Sequence, residues 1–86
     1  MTILVFFDAY ASAYEIQGEV GGLFGAASGV TMTLLQRQAG DWPTSFCMKI
    51  EADDARAQAV MQQAGDLVAQ YSGTVSNARI MMYKAV

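Results

Sequence analysis

Histidine is absent from this chain, cysteine, proline and tryptophan occur once each, and only 15% of the residues are charged. Each shortage removes something. Without histidine there is no His-dependent catalytic triad and the commonest metal ligand is missing, so neither a metal nor a cofactor is expected. Cys47 has no partner for an intrachain disulfide, which points to a reducing, cytoplasmic setting. A single strand cysteine reads first as a small core hydrophobe. No apolar run approaches the roughly 20 residues that a membrane span needs. Met1–Phe7 is apolar, but no basic stretch precedes it and Asp8 arrives too soon for a signal peptide. Five cationic residues against eight acidic ones leave a net charge of −3, which argues against a generic nucleic-acid binder and its basic stripe.

What the chain has in quantity is apolar surface. Of its 86 residues, 53% are hydrophobic, in one domain near the size where a single core is only just adequate. So few charges cannot cover so much surface. The composition therefore favours a second copy that hides the surplus.

The best-specified segment is Ala52–Gly73. Ala57, Val60, Met61, Ala64, Leu67, Val68 and Tyr71 recur at three- and four-residue steps, with Gln58, Gln62, Gln63, Asp66 and Gln70 between them. That spacing predicts an amphipathic helix. Asp53 is placed to cap its first turn, Asp54 adds charge at the positive end, and Gly73 stands where a left-handed terminal residue is wanted.

Strands are predicted on both sides of it. Phe46–Glu51 alternates strictly, and Ala78–Val86 forms the closing strand after a Gly73–Asn77 loop. Thr2–Phe7 is apolar on both parities, the mark of a central strand covered on both faces. Val30–Gln38 makes another strand, joined to Phe46–Glu51 by a hairpin connection over 39–43, where Gly40 and Pro43 bracket a turn.

A first helix is expected from the Ser12–Glu15 capping box, with Ala13, Ile16, Val20, Leu23, Phe24 and Ala27 on its apolar stripe. Gly18, Gly21, Gly22 and Gly25 occupy its other face. Together they cost about 3–4 kcal/mol relative to alanine, a large part of a small domain's stability. Either the helix stops near Gly21 and a loop follows, or the bare backbone serves as a lid or a contact surface. The glycines lack both the order and the Lys-Ser/Thr ending of a phosphate loop.

The order β-α-β-β-α-β, with two right-handed split crossovers laid over each other, predicts a four-stranded antiparallel sheet with both helices on one face. Over the whole chain this α+β pattern resembles the ferredoxin-like fold. The run Ile50-Glu51-Ala52-Asp53-Asp54-Ala55, leading into an alanine-rich helix and a closing strand, is similar to the second half of GYD-domain and related dimeric α+β barrel proteins. The resemblance is one of pattern and length, and it carries no site residue across. It implies a homodimer closed through the open faces of two sheets.

Parity supports the same arrangement. With Ile3, Val5, Phe7, Val30, Met32, Leu34, Phe46, Met48, Ile50, Ile80 and Met82 facing the helices, Leu4, Phe6, Leu35, Cys47, Met81 and Tyr83 are left on the opposite face. Arg37, Lys49 and Arg79 stand among them. Cations interleaved with Phe6 and Tyr83 make a candidate site for an anionic or aromatic ligand. The plainer reading pairs those cations with Glu51 and Asp8 around a dimer rim. Single-stranded RNA is the weaker occupant. Ile3–Phe7 resembles one aromatic motif of an RNA-recognition module, but Phe46–Glu51 lacks its partner.

A second candidate is a cleft between the first helix, the sheet and the 39–43 turn. Asp8, Tyr10, Tyr14, Glu15 and Glu19 cluster near its mouth, and Trp42 is placed to close it. Asp8 as a base and Tyr10 as a phenol donor would suit a cofactor-independent oxygenase or isomerase. Each also has a structural explanation: capping for Glu15, exposure for Glu19 and Tyr14, a turn for Trp42 and Asp8.

Three functions follow. The leading one is a soluble homodimer that binds a small apolar or anionic ligand, or a protein partner. The second is the cofactor-independent enzyme of the dimeric barrel kind. The third is an accessory protein of a mobile element that recognises a host protein.

Overall fold

The computed structural model describes residues 1–9, 15, 18, 29–71 and 73–86. Four strands, β1 (Thr2–Ala9), β2 (Val30–Gln36), β3 (Phe46–Ala52) and β4 (Val75–Tyr83), are formed with one helix, α1 (Ala57–Gln70). They make one sheet in the order β2-β3-β1-β4, and each neighbouring pair is antiparallel. The class is α+β, as the sequence predicts. The described residues contain one helix rather than the two expected. Of the predicted first helix only Glu15 and Gly18 are described, both with helical backbone and exposed side chains or Cα. The Ser12 cap and Gly21, Gly22 and Gly25 lie outside the described residues.

The two apolar faces of β1 put it in the interior of the sheet, between β3 and β4. One face makes the core. Ile3, Val5 and Ile50 are fully buried, and Phe7, Phe46 and Met48 nearly so. Phe7 and Phe46 are direct cross-strand partners whose rings stack with centroids 5.5 Å apart. The helix lays its predicted stripe on this face: Ala57, Val60, Ala64 and Leu67 are buried, while Met61, Val68 and Tyr71 are half-buried. Burying one leucine of this kind contributes about 1.5–3 kcal/mol. Every residue that parity assigned to the helix side is buried or half-buried. That assignment holds because the side-chain period of a strand is two and the register does not slip through β2, β3 and the first part of β1.

Three boundaries differ from those predicted, each through a local closure. The helix begins at Ala57, five residues after Ala52, because β3 continues to Ala52 and a separate turn intervenes. Ala52 exchanges hydrogen bonds with Met1, its N–H donating over 3.1 Å and its carbonyl accepting from the terminal amine over 2.9 Å. Asp53 then accepts the Arg56 amide on both its carbonyl and its carboxylate, so it closes the turn ahead of the helix rather than the helix itself.

At the other end Gly73 is not left-handed. The helix is closed instead on the Tyr71 carbonyl, which accepts the amides of Thr74 and Val75 at 2.9 Å and the Thr74 hydroxyl at 3.1 Å. Finally, β4 starts at Val75 and not at Ala78. Asn77 takes φ 58°, and between Phe6↔Arg79 and Asp8↔Ser76 the register shifts by one residue. This is a β-bulge: the extra residue is absorbed, and pairing resumes beyond it.

Candidate binding site on the open sheet face

The face of the sheet turned away from α1 is read in rows across the four strands. Leu35, Cys47, Phe6 and Arg79 form one row, Thr33, Lys49, Leu4 and Met81 the next, and Thr31, Glu51, Thr2 and Tyr83 the third. Charged and hydroxyl groups satisfy one another towards the third row. Lys49 lies 3.5 Å from Glu51, which also accepts the Thr2 hydroxyl at 2.9 Å. The Thr2 hydroxyl, and after it Lys49, hold the Glu51 carboxyl below its usual value. The apolar side chains have no such cover: Leu35 is 44% exposed, Met81 37% and Tyr83 51%. Tyr83 donates its hydroxyl to the Met81 sulfur at 3.4 Å. Cys47 is half-buried in this face, and desolvation pushes its thiol up, away from the reactive thiolate.

At the Asp8 end the face deepens into a pocket of about 220 Å³ lined by Phe6, Trp42, Pro43, Thr44, Asn77, Arg79 and Met81. Its floor is β1 and β4. Its wall is the β2–β3 connection, which carries Gly40 at φ 89° and a cis Trp42–Pro43 peptide. Thr44, buried, anchors the wall by donating its hydroxyl to the Phe46 carbonyl at 2.7 Å. Trp42 stands outside that anchor with 81% of its surface exposed.

Asp8 sits behind this pocket as a clip. One carboxylate oxygen accepts the Ser45 amide at 2.7 Å and the other accepts the Asn77 side-chain amide at 2.9 Å. These two donors, the Ser45 amide foremost, hold the carboxyl below its ordinary value of 3.8, and the charge of Arg37 adds to the effect. Three segments, β1, the β4 bulge and the approach to β3, are thereby tied to one side chain. These two bonds give Asp8 a structural role, and each oxygen keeps one further acceptor site.

The structure thus brings Phe6, Trp42 and Arg79 together, although the sequence placed them in two different candidate sites. Lys49 and Tyr83 lie on the same face but outside the pocket, and Lys49 is paired with Glu51. Arg37 follows the end of β2 and acts on Asp8 by its charge. Tyr10, Tyr14 and Glu19 lie outside the described residues, so the helix-side wall of the second predicted cleft does too. Sequence reasoning missed Thr44 and Asn77 as lining residues. Asn77 had a usable signal, since asparagine inside an otherwise strand-like run tolerates the left-handed conformation of a bulge.

Among the described residues no three His, Cys, Asp or Glu side chains converge in a way that could hold a metal ion. No helix among them is long and apolar enough to cross a membrane. What fold and site define is an α+β domain with one sheet face sheltered by a helix and the other bearing a shallow aromatic pocket. No protein-family model, curated protein or solved structure matches the chain.

Proposed function

We propose that this chain is a small, soluble, cytoplasmic binding protein of ferredoxin-like architecture, whose two copies press their open sheet faces together as a dimeric α+β barrel and hold a small ligand between them. The observation that carries the reading is the open face itself, where Leu35, Met81 and Tyr83 are 37–51% exposed on a continuous sheet. Burying about 600 Å² of apolar area there is worth about 15 kcal/mol gross, from which association costs of about 4–15 kcal/mol remove between a quarter and all. The strand order β2-β3-β1-β4 supports the architecture, because two split crossovers generate that order.

Sedimentation velocity tests the assembly. The expected result is a species of twice the protomer mass at micromolar concentration, and a monomer for the Leu35→Glu, Met81→Glu double variant. A well-folded wild-type monomer over the same concentration range, with the double variant indistinguishable from it, removes the barrel.

A further inference from the structure

The pocket at the Asp8 end has a charge that its surroundings do not use. Three of the five cations pair with carboxylates: Lys49 with Glu51 at 3.5 Å, Arg56 with Asp53 at 3.8 Å and Lys84 with Asp54 at 3.8 Å. Arg79 has no carboxylate within ion-pair distance among the described residues, and its guanidinium makes one hydrogen bond, to the adjacent Ala78 carbonyl at 3.1 Å. A guanidinium carries five N–H donors in a rigid fork. Asp8, two residues along β1 from Arg79's register partner Phe6, accepts the Ser45 amide and the Asn77 side-chain amide, and the charge of Arg37 also acts on it. The pocket therefore presents one positive group with no carboxylate partner among the described residues.

Beside that group the lining is mostly apolar, with Thr44 and Asn77 as its other polar side chains. Phe6 and Met81 form the floor, and the indole of Trp42 rises from the connecting loop with most of its surface bare. At about 220 Å³ the space is smaller than the roughly 300–1,000 Å³ of pockets for drug-sized ligands, so it suits a molecule of a single ring. Aromatic faces favour a planar ring, and the guanidinium fork favours a planar carboxylate that it can grip with two parallel bonds.

We propose that this pocket binds a planar aromatic monocarboxylate, its ring against Phe6 and Trp42 and its carboxylate on the Arg79 guanidinium. The inference rests on the small-ligand reading above and names the ligand class for it.

Trp42 is the chain's single tryptophan, so its emission reports on the pocket without a label. Titration of the full chain with benzoate should change that emission saturably. Benzamide, which keeps the ring without the charge, and cyclohexanecarboxylate, which keeps the charge without the plane, should each bind at least about tenfold more weakly. Arg79→Met should bring benzoate down to the level of benzamide and leave benzamide unchanged, while Arg79→Lys should fall between. Arg79 is exposed, and an unchanged melting curve will show that the variants fold. Equal affinity for benzoate and benzamide, or for wild type and Arg79→Met, overturns the carboxylate assignment. No saturable response to benzoate in a chain that sediments as a dimer overturns the ligand class and leaves the assembly standing; benzoate binding to a monomer does the reverse.

Discussion

Asp8 and Asn77 are joined by a 2.9 Å hydrogen bond across the register shift between β1 and β4, and the asparagine that donates it is the residue with φ 58°. One side chain thus does two things: it tolerates the left-handed backbone that the bulge requires, and it ties the bulge to the carboxylate that also holds Ser45.

Those two roles separate by substitution. Asn77→Gly keeps the conformation and loses the donor, whereas Asn77→Ala loses both. Both variants should melt below the wild type, and Asn77→Ala should be the less stable of the pair by about 1 kcal/mol, the cost of a β-carbon in the left-handed region. Chemical denaturation read by Trp42 fluorescence measures the difference. Equal stabilities would mean that the bulge relaxes to another conformation.

Acid should weaken the fold through the same clip. Folding holds the carboxyls of Asp8 and Glu51 below their ordinary values of 3.8 and 4.5. The unfolded chain therefore binds more protons than the folded one in that window, and stability rises with pH across it. The contribution is fully present above about pH 5 and is lost as the pH falls through the lowered values. Melting curves taken from about pH 6 down to about pH 3 should fall in midpoint, and Asp8→Asn should flatten the decline while lowering the plateau. A plateau for Asp8→Asn equal to that of the wild type would show that the clip contributes nothing.

Two glycines should respond to alanine with opposite signs. Gly65 lies inside α1 with ordinary helical backbone, and a β-carbon there would meet the Ile80 Cδ1 at 3.8 Å, normal van der Waals contact. Gly65→Ala should stabilise the protein by about 0.8–1 kcal/mol. Gly29 has φ 81°, and a β-carbon would come within 3.3 Å of the Asp53 carboxylate. Gly29→Ala should cost about 1–2 kcal/mol from the backbone alone. Urea titration of the two variants measures both. A destabilised Gly65→Ala would mean that α1 and β4 approach more closely than these distances indicate.

How much was legible beforehand follows from how local each question is. The stripe from Ala57 to Tyr71 and the alternation in Phe46–Glu51 are short-range periodicities, and they place the core correctly residue by residue. The extent of β4 was not legible, because whether Asn77 ends a strand or bulges within it depends on what Asp8, 69 residues away, offers it. Asp8 itself read first as a turn residue and only second as a base. Its two partners, Ser45 and Asn77, become neighbours only when β1 is flanked by β3 and β4. The candidate site divides in the same way. Phe6, Trp42 and Arg79 each stood out, yet one pocket forms from them only because the β2–β3 connection folds towards the open face, a side that no periodicity encodes.

The sequence by itself determined that four amphipathic or doubly apolar strands and a striped helix would form a layered α+β core, because side-chain period and helical repeat are properties of neighbouring residues. Tertiary structure alone decided which polar groups meet. It tied the Asp8 carboxylate to two donors and left the Arg79 guanidinium without a carboxylate partner among the described residues, beside an aromatic floor, since strand order and a one-residue bulge set distances that chain separation does not contain.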